Sequence, residues 1–234
     1  MLPNLKKSKM KKSKYFFAIN VALVLLFCAS SLVSNAQPVK AEIDAFKKAD
    51  SIAMPAAGSI LFVGSSSFNY WKDIKNYFPG YPILNRGFGG STLNDLIFYA
   101  NETILKYNPK QIYIYCGEND IADKDKASPE ITLDRFKTLF AIIRNNLPST
   151  IPIVFVSIKP SISRWSLEDK FVVANDLIKT FLAAQPNTQF LDIHSAMLSS
   201  NGMVLQDIFI KDNLHMNAKG YVIWQKIIAP TLLP

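Results

Sequence analysis

Ile60-Leu61-Phe62-Val63-Gly64-Ser65-Ser66-Ser67 sets a continuous apolar run against a glycine and three hydroxyls. Four consecutive bulky apolar residues, two of them β-branched, fit a strand buried on both faces, and the glycine and serines fit the turn that ends it. The same pattern recurs at residues 81–85, 111–116, 153–157 and 190–193. Between these runs the apolar spacing lengthens to about 3.6, which predicts helices over 42–52, 92–105, 129–147 and 167–184. Ser91 is placed to cap the second, and Leu133, Phe136, Leu139, Phe140 and Ile143 form one stripe on the third. Asn217 is placed to cap a last helix that runs to Ile228, ahead of Pro230. Strands that alternate with helices pair in parallel, and right-handed crossovers put helices on both faces. The expected class is α/β, a three-layer α/β/α sandwich around a five-stranded parallel sheet. In such sheets ligands bind outside the carboxyl ends of the strands, here just after Val63, Asn85, Cys116 and Ser157.

The first 36 residues read differently. Lys6, Lys7, Lys9, Lys11, Lys12 and Lys14 precede a mostly apolar run from 15 to 33, and Ser34-Asn35-Ala36 supplies small residues before Gln37. This is the layout of a secretory signal peptide, with an uncleaved membrane anchor as the alternative. Phe27 ahead of Cys28 argues against a lipidation site. The expected organisation is a signal peptide over 1–36, a lead-in helix over 37–58 and one domain over 59–234. The expected destination is periplasmic or extracellular, with no stable membrane insertion after cleavage.

The net charge of +8 belongs mostly to that leader. Six of the 26 basic residues and none of the 18 acidic ones lie within it, leaving 20 against 18, a charge of +2, downstream. A nearly neutral domain gives no electrostatic case for nucleic acid as a partner. Of the two cysteines only Cys116 follows the leader, so the domain relies on its core, with Cys116 as a buried thiol at a strand end.

The strand ends carry the chemistry. A serine hydroxyl is a weak nucleophile until a base takes its proton. The chain has two histidines, His194 and His215. His215 follows Asp212 by three residues, a spacing at which one tight loop brings a carboxylate to the ring and fixes its tautomer. His215 is therefore taken as the base, and His194 as structural or at a pocket edge. Acyl transfer also needs donors for an oxyanion, and Gly90 and Asn119, at adjacent strand ends, suit a backbone and a side-chain donor. Arg164 and Trp165, after the fourth strand, are candidates for lining a substrate pocket or for ordering a loop. Phe68 and Trp71 fit helix core, and Asp120 fits a loop-ordering role. No cluster has metal-ligand spacing, and Gly87-Phe88-Gly89-Gly90 lacks the Lys-Ser/Thr ending of a phosphate loop, so no cofactor or metal is expected.

In that order the blocks resemble the SGNH hydrolases, the GDSL-type lipases and acylhydrolases, over about residues 59–230. Gly64-Ser65-Ser66 stands for the family's Gly-Asp-Ser, which selects Ser66 among three hydroxyls as nucleophile. Residues 85–90 match the second block with Gly90 at its oxyanion position, and Gly117-Glu118-Asn119-Asp120 matches the third with Asn119 at its amide position. Asp212 to His215 matches the last. Ser65 departs from the family's aspartate. The resemblance implies a flavodoxin-like sheet and serine-dependent hydrolysis of carboxylic esters. Ser66, Asp212 and His215 would form the triad, and Ser66, Gly90 and Asn119 the oxyanion hole. Within the superfamily the segment resembles acetylhydrolase-like and carbohydrate-esterase-like bacterial members. No segment between the blocks is long enough to build a lid over a fatty chain, so short acyl groups on a glycan or other small alcohol are expected. The alternatives are a lysophospholipase or lipase, and a non-catalytic carbohydrate- or lipid-binding module on the same fold.

Overall fold

A computed structural model describes residues 36–122 and 126–234. The leader read from the sequence lies outside the described residues, apart from Ala36. The chain divides by its contacts after Lys40, and the whole sheet lies in the unit from Ala41 to Pro234.

The described elements alternate as expected. Helix α1 (Ala36–Ile52) precedes β1 (Ile60–Gly64), the short α2 (Ser66–Asn69) and α3 (Ile74–Tyr77), and β2 (Ile83–Gly87). Then come α4 (Leu93–Phe98), α5 (Ala100–Thr103), β3 (Gln111–Tyr115), α6 (Glu118–Ala122) and α7 (Pro129–Asn146). The chain ends with β4 (Ile153–Val156), α8 (Glu168–Ala183), β5 (Thr188–Leu191) and α9 (Ala218–Ile228). The five strands run in the order β2-β1-β3-β4-β5, and every pair is parallel. This is the flavodoxin-like order, whose switch point lies between β1 and β3.

Side-chain alternation assigns the two faces. Ile60, Phe62, Tyr113, Tyr115, Val154 and Val156 point into one core with Phe68, Trp71, Tyr221 and Trp224. Phe62 and Tyr113 stack across neighbouring strands, with centroids 4.7 Å apart. On the other face Phe136 of α7 meets Phe155 of β4 edge-on at 4.8 Å and Phe181 of α8 at 6.1 Å. Burying one large aromatic side chain contributes about 1.5–3 kcal/mol, so these two cores supply the stability that the domain does not draw from disulfides.

Several boundaries differ from the sequence reading, each for a local reason. Strand β2 begins at Ile83 and extends through Arg86 and Gly87 rather than covering 81–85. Pro82 has no N–H to give, and its carbonyl accepts from Ile60 at the start of the ladder. Arg86 stays in the strand because Asp50 and Tyr107 satisfy its guanidinium at 2.6 Å each. Strand β5 covers 188–191, not 190–193, since this edge strand tolerates polar residues: Gln189 is exposed and the half-buried Thr188 hydroxyl donates to the Leu182 and Gln185 carbonyls. The helix expected over 92–105 breaks at Tyr99 into α4, α5 and a 3-10 turn. Its cap is Thr92, which forms a capping box with Asp95, and not Ser91, which is buried. Helix α1 starts at Ala36 rather than at residue 42. The expected cap at Asn217 forms, accepting from the amides of Lys219 and Gly220, and Ser128, not singled out in the sequence, caps α7 by accepting from Ile131 N.

Candidate active site

The carboxyl ends of β1 and β3 come together because Gly64 lets the two backbones touch. At its φ of +138° a Cβ would fall 1.9 Å from the Tyr115 carbonyl oxygen, so only glycine fits. The next amide, Ser65 N, donates to that same carbonyl at 2.8 Å. Ser65 then caps the one-turn helix α2, which presents Ser66 at the edge of the sheet.

Ser66 meets the loop from the far end of the chain. His215 Nε2 lies 2.8 Å from Ser66 Oγ, and His215 Nδ1 lies 2.6 Å from Asp212 Oδ2. The spacing of three works through a tight turn: Asp212 Oδ1 accepts from the amides of Leu214 and His215, both at 2.9 Å. Asn213 sits between them at φ +57°, a conformation that asparagine tolerates better than most residues. Its carbonyl accepts from Ser163 N at 3.1 Å, tying the turn to the loop after β4. Partial burial acts against the Asp212 carboxylate, but the bonds from His215 and Leu214 outweigh it and hold the carboxyl below its ordinary pKa.

The expected oxyanion donors converge on the same place. Asn119 Nδ2 donates to Ser65 Oγ at 2.8 Å and to the Ser91 carbonyl at 3.0 Å, which brings β1, the Gly90 loop and α6 together. The Ser65 hydroxyl, at the position where the family motif has an aspartate, is thus an acceptor for Asn119. Gly90 adopts φ +66° with open space where a Cβ would stand. Among the described residues the amides of Ser66 and Gly90 have no acceptor, whereas both protons of the Asn119 amide are engaged. Glu42 of α1 fixes the preceding turn by accepting from Gly89 N at 3.1 Å and from Asn69 Nδ2 at 2.8 Å.

The remaining sequence candidates separate. Arg164 reaches the site, but its Nη1 donates to Asn119 Oδ1 at 2.9 Å and lies 3.2 Å from Glu118 Oε1. Trp165 is half-buried and packs against the core that includes Trp71 and Trp224. Phe68 and Trp71 are fully buried, as expected of core residues, and so is Phe88. Asp120 orders its loop by accepting from Leu93 N at 2.9 Å and from Arg135 at 2.7 Å. His194 stands with Glu168 at 2.6 Å, beside a cavity of about 260 Å³, and takes no part in the Ser66 array. Cys116 is buried, and burial pushes its thiol well up, away from nucleophilic use. Among the described residues no three His, Cys, Asp or Glu side chains are grouped to hold a metal, and no helix is long and apolar enough to cross a membrane.

Sequence reasoning missed Tyr70, whose ring lies on His215. Its signal is its position, four residues after Ser66 and one helical turn further along the same face. It also missed the buried Lys159 and Glu118, which pair at 3.2 Å. That contact joins two loops 41 residues apart, which no local pattern announces.

A hydrogen-bonded Ser-His-Asp array at the carboxyl edge of a doubly wound parallel sheet is the arrangement found in serine hydrolases. Residues 50–223 match the model of the GDSL-like Lipase/Acylhydrolase family, and the chain belongs to that family. It is a hydrolase of ester bonds. Three solved structures share the fold. A Streptococcus pneumoniae protein named provisionally as a platelet activating factor is 18% identical, with a TM-score of 0.75, over 91% of this chain and 99% of that one. A GDSL-like lipase from Bacteroides thetaiotaomicron is 18% identical, with a TM-score of 0.68, over 81% and 96%. A catalytic mutant of an acetylxylan esterase from Geobacillus stearothermophilus is 14% identical, with a TM-score of 0.60, over 75% and 94%. The N-acylneuraminate cytidylyltransferase of Escherichia coli O18:K1:H7 is 26% identical over 175 residues, 74% of this chain. The match spans 40% of that protein's length.

Proposed function

We propose that the protein is an exported esterase that removes short acyl groups, acetyl above all, from carbohydrate or other small alcohols through an acyl-enzyme. The observation that carries the reading is the unbroken chain from Asp212 through His215 to Ser66, at 2.6 and 2.8 Å. Ser66 Oγ attacks the ester carbonyl while its proton passes to His215 Nε2, and Asp212 stabilises the imidazolium. The amides of Ser66 and Gly90 receive the oxyanion, and Asn119 joins them by turning one N–H from Ser65 Oγ, which it holds in the resting site, to the developing charge. Collapse breaks the ester C–O bond, and the alcohol leaves with the proton from His215. Water, deprotonated by His215, then attacks the acyl-serine, and the carboxylic acid departs as Ser66 regains its proton.

The short-acyl preference rests on where the aromatic side chains are. Phe68, Trp71 and Phe88 are sealed in the core, so they are not available to line an apolar groove for a fatty chain. A long acyl chain left in water forgoes about 0.8 kcal/mol of burial for each methylene, so longer chains gain nothing. Export rests on the lysine cluster, apolar run and small residues of the first 36 positions. The test is kcat/KM for p-nitrophenyl esters from acetate to decanoate, with acetylated sugars alongside. Acetate is expected to lead, and a steady rise towards decanoate would replace this reading with a lysophospholipase or lipase.

A further inference from the structure

Behind Asn119 lies a buried ion cluster that the triad does not use. Glu118, the first residue of α6, accepts from the Tyr115 hydroxyl at 2.5 Å. Its carboxylate also lies 3.2 Å from Lys159 Nζ and 3.2 Å from Arg164 Nη1. Lys159 and Tyr115 are fully buried, so this end of the cluster is fixed, while Arg164 sits at its outer edge with its side chain 17% exposed. Burying Glu118 acts against its charge, yet Lys159 and Arg164 together hold its carboxyl below the ordinary range, so it is an anion throughout the neutral range. Burying the charges of Glu118 and Lys159 carries a desolvation cost that their pairing only partly offsets, so stability alone is a poor reason for the cluster.

The geometry at Arg164 gives a better reason. The same Nη1 that rests on Glu118 donates to Asn119 Oδ1 at 2.9 Å. The two ends of an amide side chain are alike in size, and only the nitrogen end donates. A guanidinium donates on every N–H and accepts nowhere, so it tolerates only the oxygen end. Arg164 at the oxygen end and the Ser91 carbonyl at the nitrogen end together set which way the Asn119 amide faces, and Nδ2 is turned to Ser65 and the Ser66 elbow.

We propose that Arg164 is a positioning residue for ester hydrolysis: anchored on the Glu118–Lys159 pair, it holds the oxygen end of the Asn119 amide and so keeps Nδ2 at Ser65 Oγ, beside the Ser66 elbow. Without it the Ser91 carbonyl alone fixes the amide, and the N–H nearest the developing negative charge is held less firmly. The pair Glu118–Lys159 stays charge-balanced when Arg164 is removed, so the fold keeps its buried anion satisfied. This inference rests on Ser66 and Asn119 acting as described under the proposed function.

The experiment is a double-mutant cycle on the full-length chain with p-nitrophenyl acetate, reading kcat and KM separately and checking each variant by thermal unfolding. Arg164→Met is expected to lower kcat about 10- to 100-fold with KM within about threefold, since an oxyanion donor is worth about 10²–10³ in turnover. In an Asn119→Ala background the same change is expected to cost under about threefold, because the group it positions is gone. Arg164→Lys is expected to recover part of the rate as a point charge without the planar fork, with the same non-additivity, so a folding defect in the methionine variant does not shield the idea. Equal losses in both backgrounds, an unchanged kcat, or a rise in KM alone would overturn it, the last pointing to direct contact with substrate. A wild-type chain inactive on every ester, or an active Ser66→Ala, overturns the serine-esterase reading and this inference together. A Ser66-dependent enzyme with additive losses overturns the inference alone.

Discussion

The ring of Tyr70 lies flat on the imidazole of His215, with centroids 4.3 Å apart and planes 11° from parallel. Tyr70 is half exposed and closes α2, so one short helix carries both the hydroxyl that faces His215 and the ring that covers it. Such a stack restrains the imidazole in the plane that serves Ser66 and Asp212. An aromatic pair of this kind contributes about 0.5–1.5 kcal/mol, so Tyr70→Ala is expected to lower kcat about two- to tenfold. Tyr70→Phe is expected to keep the wild-type rate. Steady-state kinetics of both variants check this, and a phenylalanine variant as slow as the alanine one would assign the effect to the hydroxyl instead.

Three adjacent hydroxyls offer a clean contrast. Ser66→Ala is expected to reduce turnover by about 10⁴-fold or more without loss of structure. Ser65→Ala is expected to stay within about tenfold of wild type, since Ser65 Oγ serves as an acceptor for Asn119 and not as the attacking atom. His215→Ala is expected to cost more than Asp212→Asn, because the carboxylate orients a ring that does the proton transfer. Aryl acetate turnover by the four variants decides it, and a normal rate in Ser66→Ala with an inactive Ser65→Ala would move the nucleophile.

The activity profile at low pH follows from the same contacts. The Asp212 carboxyl is held below its ordinary range, so it stays ionised in mildly acidic solution. The Asp212 carboxylate is therefore expected to add no second protonation to any loss of kcat/KM in mildly acidic solution. A slope of two from a stopped pH series would bring the carboxylate into the same transition and contradict this.

Acid stability depends on other carboxylates. Burial opposes the charge on Asp50, but Lys106, Tyr107 and Arg86 overcome it and lower the carboxyl, and Glu118 is lowered in the same way. Folded pKa values below the unfolded ones of about 4 mean that this stability is complete above about pH 5 and is lost as the pH falls through the folded values. Asp120 works in the opposite sense, since burial raises its carboxyl despite Arg135. Asp50→Asn is expected to lower the melting temperature at pH 7 and to narrow the gap from wild type near pH 3. A gap that widens towards acid would reverse the assigned sign.

Chelation is expected to leave turnover unchanged, because in the proposed mechanism the Ser66–His215–Asp212 chain supplies nucleophile and base without an ion. Activity lost to exhaustive chelation and restored by a divalent cation would reject it.

The amino-acid sequence by itself determined the parts whose signal is local. Continuous apolar runs ended by glycine located β1 and β3, the apolar stripe from Leu133 to Ile143 located α7, the capping residue Asn217 located α9, and Asp212 placed three before His215 foretold the turn that orients the ring. Tertiary structure decided what depends on partners distant in the chain. It kept Arg86 in a strand because Asp50 lies 36 residues earlier, and it split α4 from α5 although their apolar spacing reads as one helix. It also turned Arg164, a residue with the look of a substrate contact, towards Asn119 45 residues away. Hydrogen bonds within a turn are set by spacing along the chain, whereas the flip of an amide and the pairing of buried charges are set by which loops the sheet order brings side by side.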